Sequence, residues 1–207
     1  FTNLLELAKT FEVDNFIYAS SSSVYGGNKN LPYSENQSVD HPVSLYAATK
    51  KANEVIAHSY SHLYKLPVTG LRLFTVYGPW GRPDMAPMIF ARSILENKPI
   101  KIYNYGEMKR DFTYIDDVVE SIFQCCYKKA NSDSNFDRKF PNPSTSFAPF
   151  KIFNVGNSNP TNLNTFVEIL ESKLGKKAIK EYLPMQPGDV KETAANTRNL
   201  ESWIGFR

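Results

Sequence analysis

The stretch Asn15-Phe-Ile-Tyr-Ala-Ser-Ser-Ser-Ser-Val-Tyr-Gly26 decides how the rest of this sequence is read. Asn15 to Ala19 is a short apolar run, and such runs suit a strand buried on both faces. Ser20 to Ser23 follow at its C-terminal end, which is where open α/β sheets bind ligands. A strand that opens into four hydroxyls is therefore read as the floor of a site.

The elements on either side agree with a parallel sheet. Upstream, Phe1 to Phe11 places Leu4, Leu5, Leu7 and Ala8 at helical spacing with no capping residue before them, so it reads as a helix entered partway through. Downstream, a polar, proline-containing loop from Gly26 to Ser44 precedes a long helix, about Tyr46 to Tyr64. That helix is expected to bury Ala47, Ala48, Val55, Ile56 and Leu63, and Pro67 follows it closely. Val68 to Thr75 reads as a second strand ending in the turn-rich Tyr77-Gly-Pro-Trp-Gly-Arg-Pro83. Strand, helix, strand implies parallel pairing.

Beyond it the periodicity predicts helices over Met88–Glu96, Asp116–Lys128 and Leu163–Leu174, and strands over Ile100–Tyr103 and Lys151–Val155. Asn131 to Pro149, rich in Ser, Asn and Pro, is expected to be an exposed loop. No repeat recurs at a period of 20 to 50 residues, which excludes a solenoid.

Composition narrows the function classes. With 207 residues and 42% hydrophobic content, the chain can build one good-sized domain, or a domain with a smaller lobe. Its 24 basic and 21 acidic residues leave a formal charge of +3 with no long like-charged block, so no nucleic-acid arm is expected. No apolar run approaches the ~18 residues of a membrane helix, and a cytoplasmic protein is expected. Cys125 and Cys126 are neighbours, a placement suited to helix packing and not to a disulfide or zinc. His58 and His62 lie one helical turn apart without a third ligand, so they are read as surface residues and no metal is expected. Asp116 and Asp117 are read as a helix cap and first turn.

Tyr46 and Lys50 are the candidate chemistry. Four residues apart on a helix, they emerge on one face a turn apart. A phenol ordinarily titrates near ~10, and an adjacent ammonium favours its ionised form, so the pair can accept a proton near neutral pH. A hydroxyl from the Ser20–Ser23 run can share that proton.

The strand with Ser-Ser-Ser-Val-Tyr-Gly26, followed by Tyr46-Ala-Ala-Thr-Lys50, resembles the pattern of the extended short-chain dehydrogenases and nucleotide-sugar epimerases. Further landmarks recur in order: Leu71-Arg-Leu-Phe-Thr-Val-Tyr-Gly-Pro79, Lys109-Arg-Asp-Phe-Thr-Tyr-Ile-Asp-Asp117, Phe153-Asn-Val-Gly156 and Gln186-Pro-Gly-Asp189. The resemblance covers nearly the whole chain. It implies an α/β fold, a partial Rossmann-type doubly wound parallel sheet with a smaller C-terminal substrate-binding lobe. Residues 1–80 would be the C-terminal part of the NAD-binding domain. Residues 81–207 would mainly form the nucleotide-sugar-binding lobe, with some segments returning to the sheet.

Counted from Val24, the catalytic hydroxyl aligns with Ser21, beside Tyr46 and Lys50. Ala19, Ser20, Phe74 and Tyr77 fall, with Tyr46 and Lys50, where the family holds NAD. Ser22 and Ser23 would face the sugar, Arg110 the pyrophosphate and Asp189 the ribose. Relatives that dehydrate or decarboxylate nucleotide sugars carry acids directly after the catalytic hydroxyl; here Ser22 and Ser23 stand there. Inversion at C4 remains: Tyr46 takes the 4-hydroxyl proton while hydride passes to NAD and then returns to the other face.

Ser20-Ser-Ser-Ser-Val-Tyr-Gly26, Gly78-Pro-Trp-Gly-Arg-Pro-Asp-Met85 and Ala148-Pro-Phe-Lys-Ile-Phe-Asn-Val-Gly156 look most like the UDP-glucuronate 4-epimerases. Oxidation at C4 of that sugar makes a β-keto acid, so its carboxylate must be pinned; Arg82, Thr75, Ser22 and Ser23 are the candidate pins. A UDP-glucose/galactose epimerase is a second reading. No Gly-x-x-Gly-x-x-Gly phosphate loop occurs in the sequence, so the expectation is a chain lacking the family's first portion. A non-catalytic piece that binds UDP-sugar or pairs with a full-length subunit is the third reading. The family habit implies a homodimer through the helix carrying Tyr46 and the helix before it.

Overall fold

The computed structural model describes residues 1–206. In chain order the first half runs α1 (Thr2–Thr10), β1 (Phe16–Ser21), α2 (Leu45–Tyr64), β2 (Val68–Leu73), β3 (Thr75–Tyr77), α3 (Ala86–Leu95) and β4 (Pro99–Ile102). The second runs β5 (Lys109–Tyr114), α4 (Ile115–Cys126), β6 (Phe150–Val155), β7 (Pro160–Asn162), α5 (Leu163–Leu174), β8 (Ile179–Tyr182) and α6 (Arg198–Ile204). A short 3-10 turn, Ser22–Tyr25, follows β1 directly.

The principal sheet is parallel, in the order β1-β2-β6. Because side chains alternate along a strand, each strand feeds two cores. Tyr18, Val68, Phe150 and Ile152 pack with Leu5, Ala8 and Ala57 of α1 and α2. Leu71, Phe153 and Val155 pack on the opposite face with Val118 and Cys125 of α4 and Leu200 of α6. Helices thus cover both faces, the doubly wound arrangement. Each fully buried side chain of this size contributes about 1.5–3 kcal/mol. Two smaller sheets lie beyond: β3-β5-β7, and β4-β8 with α3 and α5 packed on it through Phe90, Ile94, Ile100, Ile102 and Val167.

Several expectations need correction. On α2 the buried residues are Ala47, Glu54, Ala57 and Ser61, whereas Val55 and Leu63 are 54% and 65% exposed. Small residues let the helix lie close to the sheet, and a buried carboxylate occupies the middle of its inner face. Residues 131–141 are a mostly exposed loop, as expected, but the rest of the 131–149 segment is anchored: Ser144, Ser146 and Ala148 are buried, and Asp133 N donates to the Ser146 carbonyl at 2.7 Å. His58 is accordingly half-buried, with Nε2 at 2.7 Å from Ser146 Oγ and its ring edge-on to Phe147 and Phe150. Asp116 and Asp117 lie in the first turn of α4 and favour its dipole, but the cap position is Tyr114, without a side-chain bond. Strands β5, β7 and β8 and helix α6 had no clear periodicity; β5 opens with Lys109-Arg-Asp111, which masks its alternation. Cys125 is buried in α4 and Cys126 exposed, as helix packing requires.

Candidate active site

The C-terminal ends of β1 and β2 carry the site because the sequence stops both strands abruptly there. Ser21 ends β1 and caps the 3-10 turn, its Oγ accepting from Ser23 N at 3.1 Å and donating to Ser23 Oγ at 3.1 Å. Gly26 closes that turn at φ +55°; a Cβ there would stand 2.2 Å from the His41 carbonyl oxygen, so only glycine fits. The loop then delivers Ser44, whose Oγ accepts from Ala47 N at 3.1 Å and starts α2 one residue before Tyr46.

Tyr46 is half exposed at the first turn of α2. Lys50 Nζ donates to the Ala19 carbonyl at 3.0 Å and lies 5.8 Å from the centre of the Tyr46 ring. The ammonium is thus pinned between the strand end and the phenol, beside the strand tip that carries Ser21. Ser20 is different. Its hydroxyl is buried and donates to Glu54 Oε1 at 2.7 Å, so its side chain serves the interior and does not face a cofactor.

A second group gathers around the serine turn. Ser22, Ser23, Thr75, Arg110 and Asp189 line one cleft with Tyr33, Ser44 and Thr193. Arg110 Nη2 donates to Asp189 Oδ1 at 2.8 Å, and Nη1 donates to the Lys109 and Lys191 carbonyls. β5 positions Arg110 through its neighbour: Asp111, fully buried, accepts from the backbone N–H groups of Asn157, Ser158 and Ala195. Burial raises the Asp111 pKa, opposed by those three donors. Tyr33, Ser44 and Thr193 line the cleft without having been candidates from sequence, because no local pattern connects them to the strand tip.

The remaining sequence candidates lie apart from the cleft. Phe74 is a core side chain, packed with Val24, Tyr25, Tyr33, Val39 and Ala195, and so does not present its ring to a ligand. Tyr77 is partly exposed and packs against Phe112 and Tyr114. Arg82 is on the exposed loop after β3, and its guanidinium is held by Asp84. Its hydrogen bond to Asp84 raises the Arg82 pKa. Among the described residues no cluster of His, Cys, Asp or Glu could hold a metal ion.

Beyond this arrangement of a phenol with a pinned ammonium at the end of a parallel strand, the sequence of residues 1–138 matches a known family. The chain belongs to the NAD dependent epimerase/dehydratase family. Protein CapI of Staphylococcus aureus is 54% identical over 207 residues, covering 100% of this chain and 62% of that protein. A probable UDP-glucuronate 4-epimerase of Rhizobium meliloti is 48% identical, covering 99% of this chain and 60% of that protein. The crystal structure of UDP-glucuronic acid 4-epimerase from Bacillus cereus, in complex with UDP-glucuronic acid and NAD, superposes with a TM-score of 0.82 at 32% identity. It covers 99% of this chain and 59% of that one. The chain thus spans less than two thirds of the length of these epimerase/dehydratase relatives, and it shares their Rossmann-type α/β fold.

Proposed function

We propose that this chain carries the proton-transfer and sugar-binding half of an NAD-dependent nucleotide-sugar 4-epimerase that converts UDP-glucuronate to UDP-galacturonate. One observation carries the reading: the Lys50 ammonium, tied to the Ala19 carbonyl, sits 5.8 Å from the Tyr46 ring at the strand end that also bears Ser21.

The residues present suit the nicotinamide end of the cofactor. Tyr46 is accessible, the ammonium beside it is fixed, and both stand at the carboxyl ends of parallel strands, where dinucleotides bind. Tyr46, Lys50 and the Ala19–Ser20 backbone would hold that end. NAD, when bound, supplies the hydride acceptor and donor at C4 of the sugar. Tyr46 takes the 4-hydroxyl proton on its phenolic oxygen and later returns it, Lys50 stabilises the charge that forms, and Ser21 shares the proton. Ser22, Ser23 and Thr75 face the sugar ring, while Arg110 and Asp189 receive the diphosphate and ribose. No carboxylate follows Ser21, which favours inversion over loss of water.

The lineage of relatives favours a hexuronate over a neutral hexose, and Arg82 is the proposed carboxylate contact. Residues 1–80 belong, in this reading, to the dinucleotide-binding domain, and 81–207 mainly to the sugar-binding lobe. The exposed apolar residues Leu4 and Leu7 of α1 and Leu45, Val55 and Leu63 of α2 support a homodimer through these helices. Among the described residues no helix is long and apolar enough to cross a membrane, and we place the activity in the cytoplasm.

Calorimetry with NAD and with UDP-glucuronate, joined to a product assay, tests the proposal. Binding of both and formation of UDP-galacturonate, abolished by Tyr46→Phe, is the expected result. UDP-sugar binding with no NAD affinity and no product would instead make the chain a non-catalytic sugar-binding piece.

A further inference from the structure

Beneath the strand tips lies a polar row that the proposed chemistry does not use. Ser20, Arg72 and Asn154 are register partners across β1, β2 and β6, so pleating puts all three side chains on one face of the sheet. Arg72 is fully buried and Glu54 of α2 is 2% exposed. Arg72 Nε donates to Glu54 Oε1 at 2.9 Å and Nη2 to Oε2 at 2.9 Å, a fork gripping both oxygens. Its Nη1 donates to Tyr25 Oη at 3.1 Å, and Tyr25 Oη donates to Asn154 Oδ1 at 2.7 Å. Ser20 Oγ completes the set by donating to Glu54 Oε1 at 2.7 Å. Burial pushes the Tyr25 pKa up to about 12 despite Arg72, so it stays a neutral hydrogen-bond donor.

An ion pair at this depth costs several kcal/mol of desolvation per ion, and an apolar pair of similar volume often serves stability as well or better. What apolar packing lacks is direction. A guanidinium fork that holds both carboxylate oxygens restricts the rotation of α2 about its axis and its height above the sheet. Glu54 lies four residues beyond Lys50 and eight beyond Tyr46, on the same side of the helix. Ser20 immediately precedes Ser21. The same carboxylate, carried by the helix that bears the phenol, therefore ties that helix both to β2 and to the strand tip that carries the hydroxyl. Gly70, two residues before Arg72, adds to the fit: a Cβ there would lie 2.6 Å from Tyr18 Oη, so its absence lets the Tyr18 ring lie across β2.

We propose that Glu54 and Arg72 are positioning residues that hold α2 and the tip of β1 at the separation proton transfer needs, an inference that rests on Tyr46, Lys50 and Ser21 being the reacting group. Two variants test it: Glu54→Met with Arg72→Met, which replaces the pair by apolar chains, and Arg72→Lys, which keeps the charge and loses the fork. Thermal unfolding, amide hydrogen exchange of residues 20–25 and 45–51, and the 4-epimerase kcat and KM in the presence of NAD are measured for each.

The expected double variant unfolds at or above the wild-type temperature, yet exchanges about tenfold faster in both segments. Its kcat falls ~10²-fold, as a misplacement of about 1 Å can cause, while KM for the UDP-sugar stays within about twofold. Arg72→Lys shows the same split to a smaller degree, and decides the matter if the double variant does not fold. Unchanged exchange and kcat in a folded variant overturn the proposal, as does a kcat loss that merely tracks lost stability. If the wild-type protein turns over no sugar, the functional reading fails by itself; the exchange measurement then still decides whether the pair couples helix to strand.

Discussion

Two arginine–carboxylate forks lie close together along the chain, Arg72 of β2 on Glu54 and Arg82, in the loop after β3, on Asp84. In both, Nε meets one oxygen and Nη2 the other, at 2.9 and 2.9 Å in the first and 3.1 and 2.5 Å in the second. Their surroundings are opposite: side-chain exposure is 0% and 2% in the first pair, 71% and 62% in the second. The same contact is thus an anchor in one region and a loose clasp in the other. Desolvation makes the difference: removing one partner inside strands a charge in a medium that cannot solvate it, whereas outside, water replaces the partner.

The sharpest way to break this comparison is Glu54→Ala, which leaves Arg72 buried and unpaired. It is expected to cost about 3–5 kcal/mol, read as a lowered midpoint in denaturant unfolding. A loss no larger than that of a surface substitution would erase the contrast.

Glu171 of α5 stands between the extremes and sharpens it. Its nearly buried carboxylate accepts from Ala178 N at 2.9 Å and pairs with Lys177 and Lys180, whose ammonium groups reach it from the surface. The Ala178 N–H, then Lys177, then Lys180 hold its pKa down to about 2. A depressed carboxylate contributes stability that is present above the ordinary value of 4.5 and is lost as pH falls towards 2. Glu171→Gln should therefore cost about 1 kcal/mol at neutral pH, with the gap to the wild type closing between those two pH values in acid unfolding.

At the exposed clasp, Arg82→Ala is expected to leave the unfolding midpoint unchanged. On the proposed function it lowers glucuronate turnover or releases a decarboxylated pentose product, followed by chromatography of the nucleotide sugars. Unchanged kinetics and product ratio would remove Arg82 from the site and leave it a surface ion pair. The smallest effect concerns α4: burial raises the Cys125 thiol to about 11, so a maleimide should label Cys126 alone in the native protein. Labelling of both thiols without unfolding would show that this core opens readily.

The parts of the fold legible in the sequence were those with local signals. The serine-ended strand, the helix of Tyr46 and Lys50, α5 and β6 each declare themselves by period and by the residues that bound them. β5 and β8 did not, because charged residues interrupt their alternation and their partners lie far along the chain. In the candidate site, Tyr46, Lys50 and the Ser20–Ser23 run stood out as a pattern, whereas Ser21 in particular, with Ser22, Ser23, Thr75, Arg110 and Asp189, was singled out by resemblance, and their roles belong to the proposal. The side chains of Ser20 and Phe74 turn inward for a reason the sequence does not carry: a residue beside a strand tip can point either way. Glu54 and Arg72 left only a faint signal, an arginine inside the apolar Val68-Thr-Gly-Leu-Arg-Leu-Phe-Thr75 and an acid one turn past Lys50.

By itself, then, the sequence determined much of the alternation of strand and helix, and it singled out the serine-ended strand tip and the Tyr46–Lys50 spacing as the candidate site. Periodicity, turn residues and functional-group spacing act over a few positions, and a linear reading captures them. Only the tertiary structure decided which hydroxyl faces outward, which arginine is buried, and that Arg110 meets Asp189 across 79 positions of chain. Those outcomes follow from burial and from pairing between distant segments, and both come into being only when the chain has closed on itself.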